Sequence, residues 1–557
     1  MKLHKLIVKN FRSIKGDNNV ICFDKSNIIF LIGQNNVGKS SFLHAYDFFV
    51  NSKQCATEKD FHNYDTSTPI EIEAWFTKEI EDENDSDLSG TGKSKEPDWI
   101  NKWVDAKNII KIKKVWDTAN SSFKKYTFSP NSNSWEENGF GGFHTKLQKY
   151  SPKPIFINAI ETPESFEKKI NDLINDKFLK ELEKSNKDEY EKITQSIIDL
   201  QKKITSSSEV NEFNEKINIE FQKVFSNLTL QIKAKDNDGV NILKAFEKNH
   251  SIGIQKDGIE RDENFTQHGH GVIRQALFNF LKFLGSLGND STTYLILFEE
   301  PEIFLHPKVA FNLRKSLYEL SKDSQYQILC ATHSPLMIDI SMPHSSLIRV
   351  IKDKNENTEV FQVNDGIFQG NEEKKQLVQM INKFNPHICE AFYADKVLLV
   401  EGDTETIVYR EILSNFYPNE EIFVLNTGSK TNIPFFQEIL THFKIEHYII
   451  HDSDTEKRKD GNNNSAWALN QTIWEKVEKA NIKKSGLSRR YLHIENFESA
   501  NNYQHNPDKG KPLSAYAFAK TIEINQDIPC LNWLRDITGN KEINHDQNYL
   551  LEAIKKA

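Results

Sequence analysis

The segment Gly33-Gln34-Asn35-Asn36-Val37-Gly38-Lys39-Ser40 has the residue types and spacing of a loop that cradles phosphates. Gly33 and Gly38 let backbone N–H groups turn inward. Lys39 neutralises the β and γ phosphates, and the Ser40 hydroxyl ligates Mg²⁺. The apolar run Ile28–Ile32 precedes the loop and a helical pattern from Ser40 to about Phe49 follows it, the context such a loop requires. ATP is the predicted ligand, with Asn35, Asn36 and Ser41 in the same set. Two later strands belong with this loop. Tyr294–Phe298 runs into Glu299 and Glu300, a pair suited to holding Mg²⁺ and polarising the attacking water. We assign Glu299 to the metal and nucleotide and Glu300 to the water. Gln327–Ala331 then delivers His333 to the sheet edge as a sensor of the γ-phosphate. The bland reading of these acids is a strand end facing solvent, which the Lys39 loop disfavours.

A second acidic group lies further along. Val397–Val400 ends in Glu401, Gly402 allows a tight turn, and Glu405 follows at a helix start. Tyr448–Ile450 leads through His451 to Asp452 and Asp454, which point the same way on an extended segment. Parallel neighbouring strands would bring these acids to one C-terminal sheet edge, where α/β sites form. Converging carboxylates bind metal, shift their pKa values or stay apart. Oxygen donors favour Mg²⁺ or Mn²⁺, and two such ions suit phosphodiester cleavage. Solvated loop acids are the bland alternative.

The elements that must position these groups are legible in outline. Residues 69–76 alternate as a strand, 108–128 as a hairpin, and Ile155–Ile157 is a short strand, while the acidic stretch 79–98 reads as a surface loop. From 163 to about 225 polar residues dominate. Phe166, Ile170, Leu173, Ile174, Phe178 and Leu182 form one apolar stripe, predicting an inserted helical arm. It is either a peripheral subdomain or a dimerisation arm. A polar connector, 352–390, leads to a second α/β unit. The expected division is 1–162 and 251–390 for a nucleotide-binding domain, 163–250 for the helical insertion, and 391–557 for the second α/β domain.

The 557 residues call for two to four domains, and 38% hydrophobic content suffices for buried cores. A net charge of −9 excludes a generally basic nucleic-acid binder, though not a local basic groove. The five cysteines are scattered without a CxxC pair, which disfavours zinc or a disulfide framework. No stretch approaches 18 apolar residues, so no membrane partner and a cytoplasmic location are expected.

Asn10-Phe11-Arg12-Ser13, the glycine loop, LFEEPEIFLHP (297–307) and ATHSP (331–335) together resemble the ABC-type ATPases of the RecF and SMC group. Glu299 stands where that group usually has Asp, which keeps the charge. The resemblance implies Arg12 near the nucleotide and Leu305-His306-Pro307 at a head-to-head dimer interface. It implies residues 267–275 as the segment that caps a partner's nucleotide, and hence a homo-oligomer. VEGDTE (400–405) with DSD (452–454) resembles a Toprim domain. The combination resembles the OLD (overcoming lysogenization defect) family of ATP-dependent nucleases over nearly the whole chain. That resemblance implies DNA as substrate, metal-dependent hydrolysis and a common role in bacterial antiphage defence. It also implies action alone or with a partner protein or retron-type RNA–DNA hybrid. Glu498 and Lys511 would complete the metal site, with Glu495 and Lys509 as alternatives, the lysine offsetting phosphate charge. Gly428, Lys430 and Asn432 match a family loop, in which Lys430 either touches DNA backbone or is solvated. A RecF/SMC-like repair or recombination clamp without cleavage is the second reading, disfavoured by the intact acids.

Overall fold

The computed structural model describes all residues except 52–54, 79–101, 141–144, 171–207, 235–249, 257–261, 265–267, 287–292, 340–341, 343, 363–385, 459, 540–547, 549 and 553–557. The chain forms two compact units. The first comprises Met1–Leu31, Gly38–Met337 and Lys352–Thr358, and the second Ile32–Val37, Ile338–Ile351 and Glu359–Ala557.

In the first unit, an antiparallel sheet combines β1 (Lys2–Lys9), β2 (Val20–Cys22), β4 (Ile70–Thr77), β5 (Ile109–Trp116), β6 (Lys124–Ser129) and β7 (Ser134–Glu137) in the order β2-β1-β4-β5-β6-β7. Strict alternation in β4 buries Ile70, Ile72, Ala74 and Phe76 on one face. A parallel sheet places β3 (Ile28–Ile32), β13 (Tyr326–Ala331), β12 (Tyr294–Glu299) and β8 (Lys153–Ile157) side by side. Its central strands β3 and β13 are buried throughout because both faces are covered, and their amide side chain, Gln327, is satisfied by the Leu3 backbone. Helix α1 (Lys39–Val50) starts directly beyond the loop that follows β3.

One residue breaks the apolar pattern of β5. Lys114 lies on the buried face between Ile112 and Trp116, directly opposite Lys125 of β6. Its Nζ donates to the Asn51 carbonyl at 3.3 Å and sits 3.7 Å above the Phe123 ring. Burial, with the Lys125 charge added, lowers the Lys114 pKa to about 6. The unfolded chain therefore holds this proton from about pH 6 to about pH 10, where the folded chain does not. This group makes stability rise with pH across that window. Lys114→Met is expected to gain about 1–3 kcal/mol near pH 7. Thermal melts at pH 7 and 10 check this, with a smaller gain expected at the higher pH.

The insertion is not wholly helical, contrary to the sequence expectation. A helix over 163–170 buries Phe166 and Ile170, and α2 (Ser208–Gln222) is also helical. After them, β9 (Leu228–Ala234), β10 (His250–Lys256) and β11 (Asp262–Asn264) form an antiparallel sheet in the order β11-β10-β9. The period-two residues Leu228, Leu230 and Ile232 drive the first of these strands, hidden in a polar composition. Leu173, Ile174, Phe178 and Leu182, and the acidic stretch 79–98, lie outside the described residues.

The second unit holds an all-parallel sheet of β14 (Lys396–Val400), β15 (Ile422–Asn426), β16 (Glu446–Asp452) and β17 (Ser488–His493), ordered β15-β14-β16-β17. Strand β17 was not read from the sequence, because Arg489 and Arg490 interrupt its apolar run. Among the described residues, no helix is long and apolar enough to cross a membrane.

Candidate functional site

The glycine loop has the backbone its sequence demands. Gly33 (φ 143°) and Gly38 (φ 109°) occupy the region that side chains avoid, and Asn36 is left-handed at φ 63°. A Cβ on Gly33 would stand 2.2 Å from the Val350 carbonyl oxygen. Gly38 offers no side-chain cap to α1, so first-turn N–H groups stay available to an anion. Asn35 and Asn36 are exposed, Ser40 is half-buried and Ser41 is buried. Ser41 Oγ shares a 2.6 Å hydrogen bond with Ser13 Oγ, which ties the helix start to the Asn10–Ser13 segment. In that segment Arg12 is left-handed (φ 52°) and pairs with Asp60 at 3.2 Å, and its charge is felt by His44 and Asp47 on α1.

Three of the predicted groups are linked in series. Lys39 Nζ is 3.3 Å from His333 Nδ1, and His333 Nε2 is 3.4 Å from Glu300 Oε1. Burial lowers the Lys39 pKa to about 8, opposed by the charges of Glu300 and Glu302. Burial, then the Lys39 charge, lowers His333 to about 4. At pH 7 the ammonium is charged and the imidazole neutral. Nδ1 must therefore accept from Lys39, which leaves the ring proton on Nε2, directed at the Glu300 carboxylate. Glu299 closes β12 opposite Ala331, and Glu300 turns off at φ 43° with its N–H bonded to the Ala331 carbonyl.

Two participants escaped the sequence reading. Half-buried Glu302 accepts from the Thr332 hydroxyl at 2.7 Å and from the His333 N–H at 3.2 Å, and so orients the histidine. Its desolvation raises its pKa. Acid and hydroxyl both sit in quoted motifs, but thirty residues apart. Arg274, on α3 (His270–Ser286), is fully buried, and its guanidinium donates to the carbonyls of Ala159, Glu300, Pro301 and Ile303. In residues 267–275, expected to face a partner's nucleotide, this arginine instead turns inward to hold the carboxylate loop. Lysine cannot reproduce a planar fork. Arg274→Lys is expected to cost about 2–4 kcal/mol in chemical denaturation and to slow ATP hydrolysis with little change in ATP affinity.

In the second unit the acids converge as parallel strands require. Glu401 follows β14 and Asp452 ends the adjacent β16, where the Asp452 N–H donates to Glu401 Oε1 at 2.8 Å. Glu405 is buried in the first turn of α4 (Asp403–Phe416). Desolvation, with neighbouring acids added, raises Asp452 to about 9. Desolvation raises Glu401 to about 7, held back by the Asp452 N–H and Lys430. Burial raises Glu405 too. Asp454 is left-handed at φ 58° and pairs with Lys430 Nζ at 2.6 Å. The same ammonium donates to the Asp452 carbonyl at 2.5 Å. Lys430 is 5% exposed, so it is no solvated loop lysine.

The downstream assignments separate. Glu498 is exposed on the short helix Phe497–Ala500, and its charge is felt by both Glu405 and Asp452. Glu495 meets the cluster through its carbonyl, which accepts from the Asp454 N–H at 3.0 Å. Lys511 is exposed at the start of the helix Gly510–Thr521, and among the described residues it forms no ion pair with the acids. The buried cation in this cluster is Lys430, which its sequence context, NTGSKTN, did not separate from a surface lysine.

Among the described residues, no three His, Cys, Asp or Glu side chains already stand as a metal cage. The donor set nonetheless fits a divalent cation. Asp452 Oδ1 is buried without a hydrogen-bond partner, and the acids around it hold protons that a cation would displace. A bound ion would activate water and stabilise the leaving oxygen.

Comparison with known proteins agrees with both halves. The family described as AAA ATPase domain matches residues 1–338. The TOPRIM domain described as overcoming lysogenization defect protein-like matches residues 392–454. The Old nuclease of Escherichia phage P2 is 24% identical over 485 residues, covering 82% of this chain and 77% of that protein. Endonuclease GajA of Bacillus cereus (strain VD045) is 25% identical over 485 residues, covering 82% and 76%. The solved Smc head bound to the C-winged helix domain of ScpA aligns with TM-score 0.41 and 12% identity over 65% of this chain and 98% of that one. The chain thus belongs to the OLD-type proteins, an AAA ATPase domain followed by an OLD-like Toprim domain, and is homologous to the Old and GajA nucleases.

Proposed function

We propose that the chain is an ATP-controlled, Mg²⁺- or Mn²⁺-dependent DNA endonuclease that works as a homo-oligomer. The observation that carries this reading is the pairing of Glu401 and Asp452 on adjacent parallel strands, with an unpartnered buried oxygen on Asp452. A clamp that only holds DNA needs no such cluster. Glu401, Glu405, Asp452, Asp454 and Glu498 hold metal, and Lys430, in place of Lys511, offsets charge on the cleaved phosphate. In the ATPase half, Lys39, Ser40 and Glu299 hold ATP and its ion, and Glu300 takes the proton of the attacking water. Phosphodiester hydrolysis is downhill and limited by its barrier, so ATP serves to set geometry rather than to drive the cut. The two homologues, one a nuclease and one an endonuclease, support the cleavage activity; the resemblance to the OLD family implies antiphage defence in the cytoplasm, alone or with a partner protein or RNA–DNA hybrid. Supercoiled plasmid with Mg²⁺ or Mn²⁺ tests the core of this reading. Wild type is expected to nick or linearise it and Glu401→Ala to leave it supercoiled; an intact plasmid with both defeats the nuclease assignment.

A further inference from the structure

Beside the acidic cluster, sharing Asp454 with it, lies a cavity of about 620 Å³ whose other walls neither the ATPase nor the cleavage chemistry uses. That volume is within the roughly 300–1,000 Å³ of small-molecule sites. Trp467, Ile494 and Leu551 line its apolar part, and Asp454, Glu456 and Glu495 its acidic rim. Asp454 thus faces both the metal-binding cluster and this cavity.

The walls are fixed. Trp467 stands in the first turn of α5 (Ser465–Lys483), whose cap, Asn464, accepts from the Ala466 N–H at 3.1 Å and donates to the Thr455 carbonyl at 2.9 Å. Opposite, the Glu495 N–H donates to Ser453 Oγ at 2.8 Å, and the Glu495 carbonyl accepts from Asp454. Asp454 and Glu495 are both left-handed, at φ 58° and 65°, and neither is glycine. Such backbone persists where the surrounding structure over-determines it, and it clusters at ligand sites.

The chemistry of the cavity selects its occupant. An acidic rim repels phosphate, so the phosphate belongs at the metal cluster and a neutral group belongs here. A half-buried indole offers a flat π-face. Carboxylates accept hydrogen bonds and donate none, so they favour a ring carrying an amino group and reject one that presents only carbonyl oxygens. Adenine N6, cytosine N4 and guanine N2 supply such amino donors; thymine has no amino group, and its one ring N–H lies between two carbonyl oxygens that carboxylates repel.

We propose that this cavity holds the nucleobase adjoining the scissile phosphate, taken out of the helical stack, laid on Trp467 and read through its amino group by Glu456 and Glu495. The proposal rests on the nuclease reading. Since a paired base buries that amino group in its partner, the cavity favours unpaired, frayed or mismatched DNA at the cut.

The test is to map cut ends by sequencing after the full-length protein digests plasmid and single-stranded DNA, with wild type, Trp467→Ala, Trp467→Phe and Glu495→Gln. Wild type is expected to show a bias for adenine, cytosine or guanine over thymine at one fixed position flanking the cut. Trp467→Ala is expected to lower kcat/KM at those sites by roughly 5- to 150-fold, the range of stacking losses, and to erase the bias. Trp467→Phe should keep the bias, which separates stacking from mere folding. Glu495→Gln, whose amide can also donate, should admit thymine. Cutting by Trp467→Ala at wild-type rate and with wild-type bias overturns the cavity assignment while leaving the nuclease standing. Plasmid left intact by wild type removes the nuclease reading and this proposal with it.

Discussion

Asp452→Asn is expected to lower plasmid cleavage on the order of 10³-fold while making the metal-free protein more stable. The two effects share one cause. Asp452 is forced, by burial and by the charges of Glu401, Glu405, Asp454 and Glu498, to keep its proton up to about pH 9. The unfolded chain gives that proton up near pH 4. Between those values the folded state binds more protons than the unfolded one, so stability falls as pH rises, by at most about 1.4 kcal/mol per pH unit for one proton. Asparagine keeps the shape and removes the titration. The melting-temperature advantage of Asp452→Asn over wild type should therefore be small near pH 5 and grow toward pH 9, in buffer with chelator. Added Mn²⁺ should reverse the ranking by stabilising wild type alone and releasing protons on binding. If the variant melts below wild type at pH 9 without metal, the carboxylates are not in mutual repulsion and the cluster has been misread.

Glu300→Gln is expected to cut ATP hydrolysis on the order of 10²- to 10³-fold and to leave ATP affinity within about threefold, whereas Lys39→Ala should abolish binding itself. The separation follows from the Lys39–His333–Glu300 series. Glutamine can still accept the Nε2 proton of His333 but cannot take one from water. Lys39 adds a second readout. Its pKa of about 8 reflects burial, and triphosphate charge beside it pushes the value up again. At pH 8.5 binding should take up a proton, seen by calorimetry as a heat that changes with the ionisation enthalpy of the buffer. A buffer-independent heat at that pH would argue that Lys39 does not meet the phosphates.

Legibility in the sequence followed a physical rule. Residues that end apolar strands were found, because the strand announces where the polar end must lie: Lys39 after Ile28–Ile32, Glu299 and Glu300 after Tyr294–Phe298, Glu401 after Val397–Val400 and Asp452 after Tyr448–Ile450. Residues whose role comes from a partner distant in the chain were not. Arg274 serves carbonyls 26 to 115 positions away, and Glu302 serves Thr332. Lys430 differs from an exposed lysine only because the loop folds it beneath Asp454. Lys511 shows the converse: the family resemblance offers it as the lysine of the metal site, and the fold leaves it exposed at a helix start. The strands of the insertion were missed for a third reason: their period of two is short and is diluted by charge.

The insertion leaves the ATPase sheet just beyond Ala159 and rejoins it through α3, and one guanidinium holds both ends. Arg274 grips Ala159 on one side and the loop carrying Glu300 on the other. That makes the arginine a fulcrum between the point where the insertion departs and the turn that carries Glu300. A shift of Ala159 cannot leave the Glu300 backbone untouched, because one rigid planar group spans both. A disturbance at the root of the insertion is thereby delivered to the loop beside His333.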